Sequence, residues 1–485
     1  MKKIALINIP DSGISGKGYT VPLGLAYIGA ALRKAEYEVR GYDLCISRDT
    51  LHKYYLTADP SFLDSILAYC PDFIGMTCTT TNRHNLSFWA GVFKEKLPGT
   101  TIIVGGPHPF FIPMEYMKST PSVDILVLGE GERVIVHYLE TAVRGQDLKQ
   151  VRGIAFRRGE DIFINETEEV IEDLDEIDFP ARDLFPVYDY DMEFGTIRGK
   201  AVTIITSRGC GSRCKFCSTS NYWKKVRFRS AKNVVDEIEA VIRQFPGIEN
   251  IVFFDDTLTS NRNHAVSICR EITSRNIKIN WACWSRTNIV DDEFFQILKE
   301  AGCTTLSYGI ESGNDEMLQV MRKQTSVSNN IKALINGRKF GICTRGTMIA
   351  GMPEEKFAWA LDSIFFIASM TSRGVDPGDL RINLFTFIFP GTPWEKWFRE
   401  RYPDFSWDHI PAKYRTGSIT DSFGNIVLPC YKWKGAPYTV LSLLLQMIHR
   451  FRFFRQLIIL PRVQKMMKKC LVALIREYPR IYYDD

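Results

Sequence analysis

What the sequence lacks narrows the possibilities first. No run of 18 apolar residues occurs in it, and a membrane-spanning helix needs about that many, so no span is expected. The opening "MKKIALINIP" has no long apolar stretch leading to a small-residue cleavage site, so no export signal is expected and the location reads as cytoplasmic. Charge of one sign is also scarce: 61 Lys and Arg against 56 Asp and Glu leave +5 on 485 residues. That is small for a dedicated nucleic-acid binder, and no nucleic-acid partner is expected. Two separate close pairs of cysteines, the usual set for structural zinc, are missing as well. Of twelve cysteines, nine (Cys45, Cys70, Cys78, Cys269, Cys283, Cys303, Cys343, Cys430, Cys470) stand singly among apolar residues, where a thiol behaves as a small hydrophobe. In a reducing compartment disulfides are not expected.

The other three are close together. "SRGCGSRCKFCSTS", residues 207–220, holds Cys210, Cys214 and Cys217, with no fourth beside them. Structural zinc wants four ligands, usually as two close pairs. A cluster of iron and sulfide suits three thiolates better, because they can hold three irons of a four-iron cube and leave the fourth open to a substrate.

The rest of the chain is a series of strand and helix patterns long enough to fill more than one core. "KIALINIP" (3–10), "YEVRGYD" (37–43), "DFIGMTC" (72–78), "TIIVGG" (101–106) and "DILVLG" (124–129) are short and continuously apolar, with helical periodicity between them. Continuous apolarity marks strands covered on both faces, so residues 1–145 are expected to form an α/β, doubly wound, Rossmann-like domain of five strands. Ligands of such sheets sit beyond the carboxyl ends of the strands. Here those ends carry Thr77, Thr79, Thr80, Gly105, Gly106, His108, Gly129, Glu130 and Gly131. Two readings stand: glycines and hydroxyls that receive a large ligand, or glycines that simply end strands.

Residues 146–199 read as a connector, a small hairpin followed by the proline-rich and acidic "LDEIDFPARDLFP". From 200 to 392 six further strands, "AVTIITS" (201–207), "NIVFFDD" (250–256), "INWACWS" (279–285), "TLSYGIE" (305–311), "CTRGTMIAGM" (343–352) and "RINLFTFIF" (381–389), alternate with helices. That pattern fits a partial (β/α)6 barrel of the TIM type, with function on the loops after strands. Residues 393–485 are expected to be mostly helical and turn strongly basic from 431 onward, interleaved with "VLSLLLQMI" and "FFRQLIIL". Such a region can lie on an anionic membrane surface, or simply pack with its Lys and Arg in water.

With its aromatic before the third cysteine and its place after the first barrel strand, "CGSRCKFC" resembles the CxxxCxxC motif of the radical S-adenosylmethionine (radical SAM) superfamily. The resemblance implies that Cys210, Cys214 and Cys217 ligate a [4Fe-4S] cluster whose open iron chelates SAM, with Phe216 near the adenine. It further implies SAM contacts from Asp255 or Asp256 in "FFDDT", from Arg286 in "SRTN", and from Glu311 in "YGIESGND", where Ser312 and Gly313 turn the chain. "GTMIAGMPEE" resembles the fifth-strand element, except that Glu354 stands where the family usually has Gly. "FPGTPW" (389–394) resembles the end of the sixth strand.

The amino-terminal half, through "VPLGLAYIGAAL", "GGPHP", "DILVLGEGE" and "LDEIDFPARDLFP", resembles the cobalamin-binding class of this superfamily. The Asp-x-His-x-x-Gly that ligates cobalt in methionine-synthase-like domains does not occur; His84 and His108 lie in the rim, either to approach the corrin or as ordinary surface or hydrogen-bonding side chains. The class implies cobalamin as a cofactor, an external electron donor such as flavodoxin or ferredoxin, and methyl transfer to an unactivated carbon or to phosphorus. Oxidative ring formation or another C–H functionalisation, without use of B12, is the alternative. A cobalamin or SAM sensor would not need the three cysteines, and tRNA methylthiolation would need a second cysteine triplet.

Overall fold

The computed structural model describes residues 2–11, 20–46, 60–288, 291–383 and 388–401, and beyond these 403, 405–407, 418–420, 426–429, 443, 444, 447 and 456–476. The first sheet has seven strands: β1 (Lys3–Asn8), β2 (Glu38–Asp43), β3 (Phe73–Thr77), β4 (Thr101–Gly105), β5 (Ile125–Val127), β6 (Ile154–Arg158) and β7 (Asp161–Ile164). Their order is β2-β1-β3-β4-β5-β6-β7, with the first five parallel and the last two antiparallel. The five expected strands are present. The hairpin assigned to the connector instead extends this sheet, because it covers the edge of β5 and buries Ile154, Ala155 and Phe156 completely. β2, at the other edge, has no buried residue, which is why "EVRGYD" is the most polar of the strand sequences.

The chain leaves β1 for β2 on one side and returns to β3 on the other. That reversal opens a crevice beyond the carboxyl ends of β1 and β3, the usual ligand position of a doubly wound sheet.

After the connector come β8 (Met192–Phe194) and β9 (Ile197–Gly199), then β10 (Val202–Ile204), and a hairpin of β11 (Ser207–Arg208) with β12 (Arg227–Phe228). β13 (Asn250–Phe253), β14 (Asn280–Ser285), β15 (Cys303–Glu311), β16 (Cys343–Ile349) and β17 (Leu380–Asn383) follow. β10 and β13–β17 pair in sequence order, all parallel, as the six βα units require. Alternation along each strand divides the faces. Ile251, Phe253, Trp281 and Cys283 pack among the flanking helices, whereas Val252 and Ala282 meet Met192, Phe194 and Ile197 of the β8–β9 hairpin.

The connector is a packed layer, not a free linker. Its Phe185, Val187 and Tyr190 lie between Val21, Leu25 and Ala26 of the first half and Val202, Val241 and Phe245 of the second. Prolines limit it to short 3-10 turns at Leu174–Glu176, Arg182–Leu184 and Val187–Asp189. Arg182 Nη2 donates to Glu237 Oε1 at 2.5 Å, and Arg229 Nη1 donates to the other oxygen of Glu237, which is 0% exposed.

Of the basic carboxyl-terminal region, the structure describes a helix at Pro461–Arg476 and an antiparallel pair, Ser418–Thr420 with Ile426–Pro429. The helix packs Met467, Leu471 and Val472 on the second core and pairs Lys468 with Asp362. Most of "VLSLLLQMI" and the first three residues of "FFRQLIIL" lie outside the described residues. Among the described residues no helix is long and apolar enough to cross a membrane.

Replacing Glu237 by Gln leaves two buried guanidinium groups undercompensated. The expected cost is about 3–5 kcal/mol, seen as a lower urea midpoint at unchanged slope; a midpoint equal to wild type would show that the triad does not hold the connector to the second half.

Candidate functional site

The cysteine loop leaves β11 at Gly209, whose φ is +96° and where a Cβ would sit 2.7 Å from the Lys225 carbonyl oxygen. Only glycine allows the loop to leave so close to β12. Cys217 N donates to Cys214 O at 3.2 Å, which turns the chain between the second and third cysteines. Cys214 is buried, while Cys210 and Cys217 are half-buried, and all three are free thiols. Burial pushes the Cys214 thiol up, and the charges of Lys323 and Arg286 work against it by favouring thiolate. Burial raises Cys217 too, opposed by hydrogen bonds from Thr219.

Among the described residues no three His, Cys, Asp or Glu side chains converge on a point that one metal ion would occupy. Thiolates bound to three different irons of a cube need no such convergence. Three thiols on one loop with two buried cations beside them are a fitting donor set for a [4Fe-4S] cluster.

The other expected contacts divide into two groups. Arg286 is buried, donates from Nη1 to Ser212 Oγ at 2.6 Å inside the cysteine loop, and donates from Nη2 to the Lys323 carbonyl. Glu311 has φ +62° at an irregularity of the β15–β16 register, and Lys323 Nζ meets its Oε1 at 2.7 Å. The same ammonium lies 5.9 Å from the centre of the Phe216 ring, which is 6.4 Å from that of Trp394. Asp256 is exposed and accepts from Thr219 Oγ1 at 3.2 Å and from the Gly209 amide. Cys214, Phe216, Arg286, Glu311 and Lys323 therefore form one charged, aromatic wall.

Asp255 and Ser312 are turned elsewhere. Asp255 accepts from Thr206 N at 3.0 Å, Thr206 Oγ1 at 2.9 Å and Ser207 Oγ at 2.5 Å, so it braces the chain before the cysteine loop. Burial pushes its carboxyl up to about 6, against those hydrogen bonds. Ser312 is fully buried, with its hydroxyl 3.4 Å from Ser363 Oγ, and Gly313 N donates to Ser363. Both join β15 to the Phe357–Ser372 helix.

At the rim of the first sheet, Thr79 Oγ1 and Thr81 Oγ1 are 2.8 Å apart and both donate to Asp11. Thr77 O accepts from Asn82 Nδ2 at 3.0 Å. Gly105 ends β4, and Gly106, at φ +105°, passes so near Cys78 that a Cβ would lie 2.5 Å from its carbonyl oxygen. Thr79, Thr81 and Asp11 lie at the crevice between β1 and β3, which suits a large polar ligand.

Two rim residues are placed differently from expectation. His108 is 1% exposed, its Nδ1 3.1 Å from Thr80 Oγ1 and its ring edge-on to Tyr116 and Trp407. The short Pro107–Phe111 helix turns it inward, and burial holds it well below its usual protonation range. Its Nε2 has no hydrogen-bond partner. Glu130 is committed to Arg208 Nη1 and Arg227 Nη1, each at 2.6 Å, and to Ile171 N at 2.7 Å. Burial acts to raise its pKa, and the two arginines outweigh that and hold it below the usual carboxylate range. Gly129 gives its carbonyl to Tyr222 OH at 3.2 Å, and Gly131 begins the Gly131–Val143 helix against Ile28.

Comparison with known proteins agrees with this arrangement. Residues 204–367 match the radical SAM superfamily model and residues 12–139 the B12 binding domain model. An uncharacterized methyltransferase of Pyrococcus horikoshii is 31% identical over 357 residues, 70% of this chain and 73% of that protein. The chain belongs to the radical SAM enzymes that carry a B12-binding domain. The anaerobic magnesium-protoporphyrin IX monomethyl ester cyclase of Cereibacter sphaeroides is 28% identical over 72% of this chain, which spans 56% of that enzyme. The radical SAM methyltransferase TsrM of Kitasatospora setae, solved with cobalamin and a [4Fe-4S] cluster, superposes with a TM-score of 0.68 at 17% identity, covering 92% of this chain and 89% of that one. At that identity the likeness speaks for the fold. Radical SAM enzymes of this class work with a [4Fe-4S] cluster, SAM and cobalamin.

Gly209→Ala forces a clash with β12 and a left-handed alanine, about 1–2 kcal/mol of backbone strain alone. Iron and sulfide content after anaerobic reconstitution is expected to fall while far-ultraviolet circular dichroism is unchanged; full iron loading would show that the loop does not need this exit.

Proposed function

We propose that this enzyme is a cobalamin-dependent methyltransferase acting on an unactivated carbon, or on phosphorus. The observation that carries the reading is the joint placement of a three-cysteine loop after the first strand of a parallel six-stranded sheet and a β1/β3 crevice in the preceding sheet, with Glu130 clamping one to the other. The methyltransferase designation of the Pyrococcus horikoshii relative supports it. The cyclase designation of the Cereibacter sphaeroides relative supports a second reading, oxidative ring formation, on the same machinery.

In this reading Cys210, Cys214 and Cys217 hold the cluster. Arg286 and Lys323 supply positive charge for the SAM carboxylate, Glu311 and Asp256 negative charge for its amino group, and Phe216 an apolar surface for the adenine. Asp255 and Ser312 act through the backbone they hold. Asp11, Thr79 and Thr81, with Gly105 and Gly106 beside them, receive cobalamin at the crevice. When bound, the cluster and SAM would supply radical chemistry at the substrate, and cobalamin would supply a methyl group. The protein's own contribution is to orient and to exclude water, a role that the burial of Cys214, Arg286 and Glu311 supports. An external one-electron donor, a flavodoxin or ferredoxin, completes the system.

Anaerobic reconstitution with iron, sulfide and hydroxocobalamin tests this directly. About four irons and one tightly held corrin per chain are expected; four irons without corrin would end the methyl-transfer reading. Cys214→Ala is expected to abolish 5'-deoxyadenosine formation, and its retention would refute the cluster assignment.

We also propose that the carboxyl-terminal region rests on anionic membrane surfaces. The 55 residues from 422 to 476 contain ten Lys and Arg and no Asp or Glu. Among the described residues Leu443, Met447, Leu457, Leu460 and Met466 are exposed, as are Arg462, Lys465 and Lys469, and apolar and cationic side chains exposed together suit a lipid headgroup layer. The protein is expected to float with phosphatidylglycerol vesicles and not with phosphatidylcholine vesicles, and a Lys465→Glu, Lys469→Glu double variant is expected to lose this. Equal recovery with both lipids, or none, would refute it.

A further inference from the structure

Glu354 follows Pro353 in the loop that leaves β16, and its φ is +66°. Glycine adopts that conformation freely and a glutamate does not. The side chain shows what the strained position achieves. Lys215 Nζ donates to Glu354 Oε1 at 3.0 Å, and Trp394 Nε1 lies 3.5 Å from the same oxygen. Lys215 stands between Cys214 and Phe216. Its amide donates to Met321 O at 3.0 Å, and its carbonyl accepts from Trp394 N at 3.4 Å.

The neighbouring Glu355 has a different task. Its Oε2 accepts from Gly351 N at 2.6 Å and from Met352 N at 3.2 Å, which fixes the turn without help from position 354. The Lys215–Glu354 pair is 22% and 44% exposed at its two side chains. Pairs so exposed add little to folding stability, so stability does not account for a left-handed glutamate. Strain of this kind persists where a functional geometry depends on it.

We propose that Glu354 is a positioning residue of the cysteine loop. Its carboxylate tethers Lys215, and through it Cys214 and Phe216, to the end of β16. A glycine would relax the backbone and release the tether. The inference rests on the reading of Cys214 as a cluster ligand.

The test separates tether from fold. Full-length wild type, Glu354→Gly, Glu354→Gln, Lys215→Glu and the charge-swapped Lys215→Glu, Glu354→Lys protein are reconstituted with iron and sulfide. Loss of the visible absorbance to an iron chelator is followed, and Tm is measured before reconstitution. Glu354→Gly is expected to lose its cluster about two- to fivefold faster, the range open to an exposed ion pair, with Tm unchanged or raised. Glu354→Gln is expected to lie between, and the swap to recover part of the loss seen in Lys215→Glu. Cluster loss as slow as wild type in Glu354→Gly would overturn the proposal, as would faster loss accompanied by a matching fall in Tm. A wild-type chain that takes up no cluster would instead refute the underlying ligand assignment.

Discussion

The two halves depend on one buried ionic clamp. Arg208, two residues before the first cysteine of the loop, reaches Glu130 and Glu132 at the start of the Gly131–Val143 helix, and Arg227 of β12 reaches Glu130 from the other side. All four side chains are nearly sealed from water. Carboxylates at a helix amino terminus face its positive end, which favours their charge before any arginine arrives. The β11–β12 hairpin that carries the cysteine loop is thus registered directly on the first sheet. Buried ion pairs contribute less to stability than their Coulomb energy suggests, because desolvation offsets it, but removal of one partner is costly. A clamp of this kind fixes where the loop sits.

Around that loop the backbone is strained at five non-glycine residues: Lys224, Glu311, Arg322, Gln324 and Glu354. Arg322 and Gln324 flank Lys323, whose ammonium meets Glu311 and whose carbonyl takes the Arg286 guanidinium. Unfavourable conformations therefore surround the cations and carboxylate that face Cys214. Lys323, between two of them, is held by Glu311, Arg286 and the backbone of Leu318, and Glu354 by Lys215 and Trp394.

Much of this was legible in the sequence, for identifiable reasons. Continuous apolar runs marked the parallel strands because both faces are covered, and the cysteine spacing marked the loop because its ligands are local. The hairpin of β6 and β7 was read as linker because a hairpin pattern does not say which edge it will cover. Glu130 was read as a ligand contact because its partners lie 78 and 97 positions away, and no local pattern encodes that pairing. His108 was misplaced for a related reason: Trp407, which covers it, is far along the chain. Lys323 left no signal, since a single lysine in "RKQT" resembles any surface lysine until the backbone turns it inward.

The clamp does not act alone. Tyr27, on the Leu23–Lys34 helix, has the Arg208 guanidinium 5.4 Å from its ring centre, and its hydroxyl is pushed up to about 12 by burial and by Glu237, with Arg229, Arg182 and Arg208 opposing. It stands between the Glu130 clamp and the Arg182–Glu237–Arg229 triad, which makes them one seam of four arginines and three glutamates where the first half and the connector meet the second half. Arg227 leaves Nε and Nη2 without a hydrogen-bond partner, as an excess of one cation would suggest. Ordinary interfaces between domains are polar, hydrated and free to move. Here any sliding would separate buried charges from their partners, at several kcal/mol each. The seam therefore resists hinge opening of the two sheets, because opening would leave its buried arginines and glutamates unpaired.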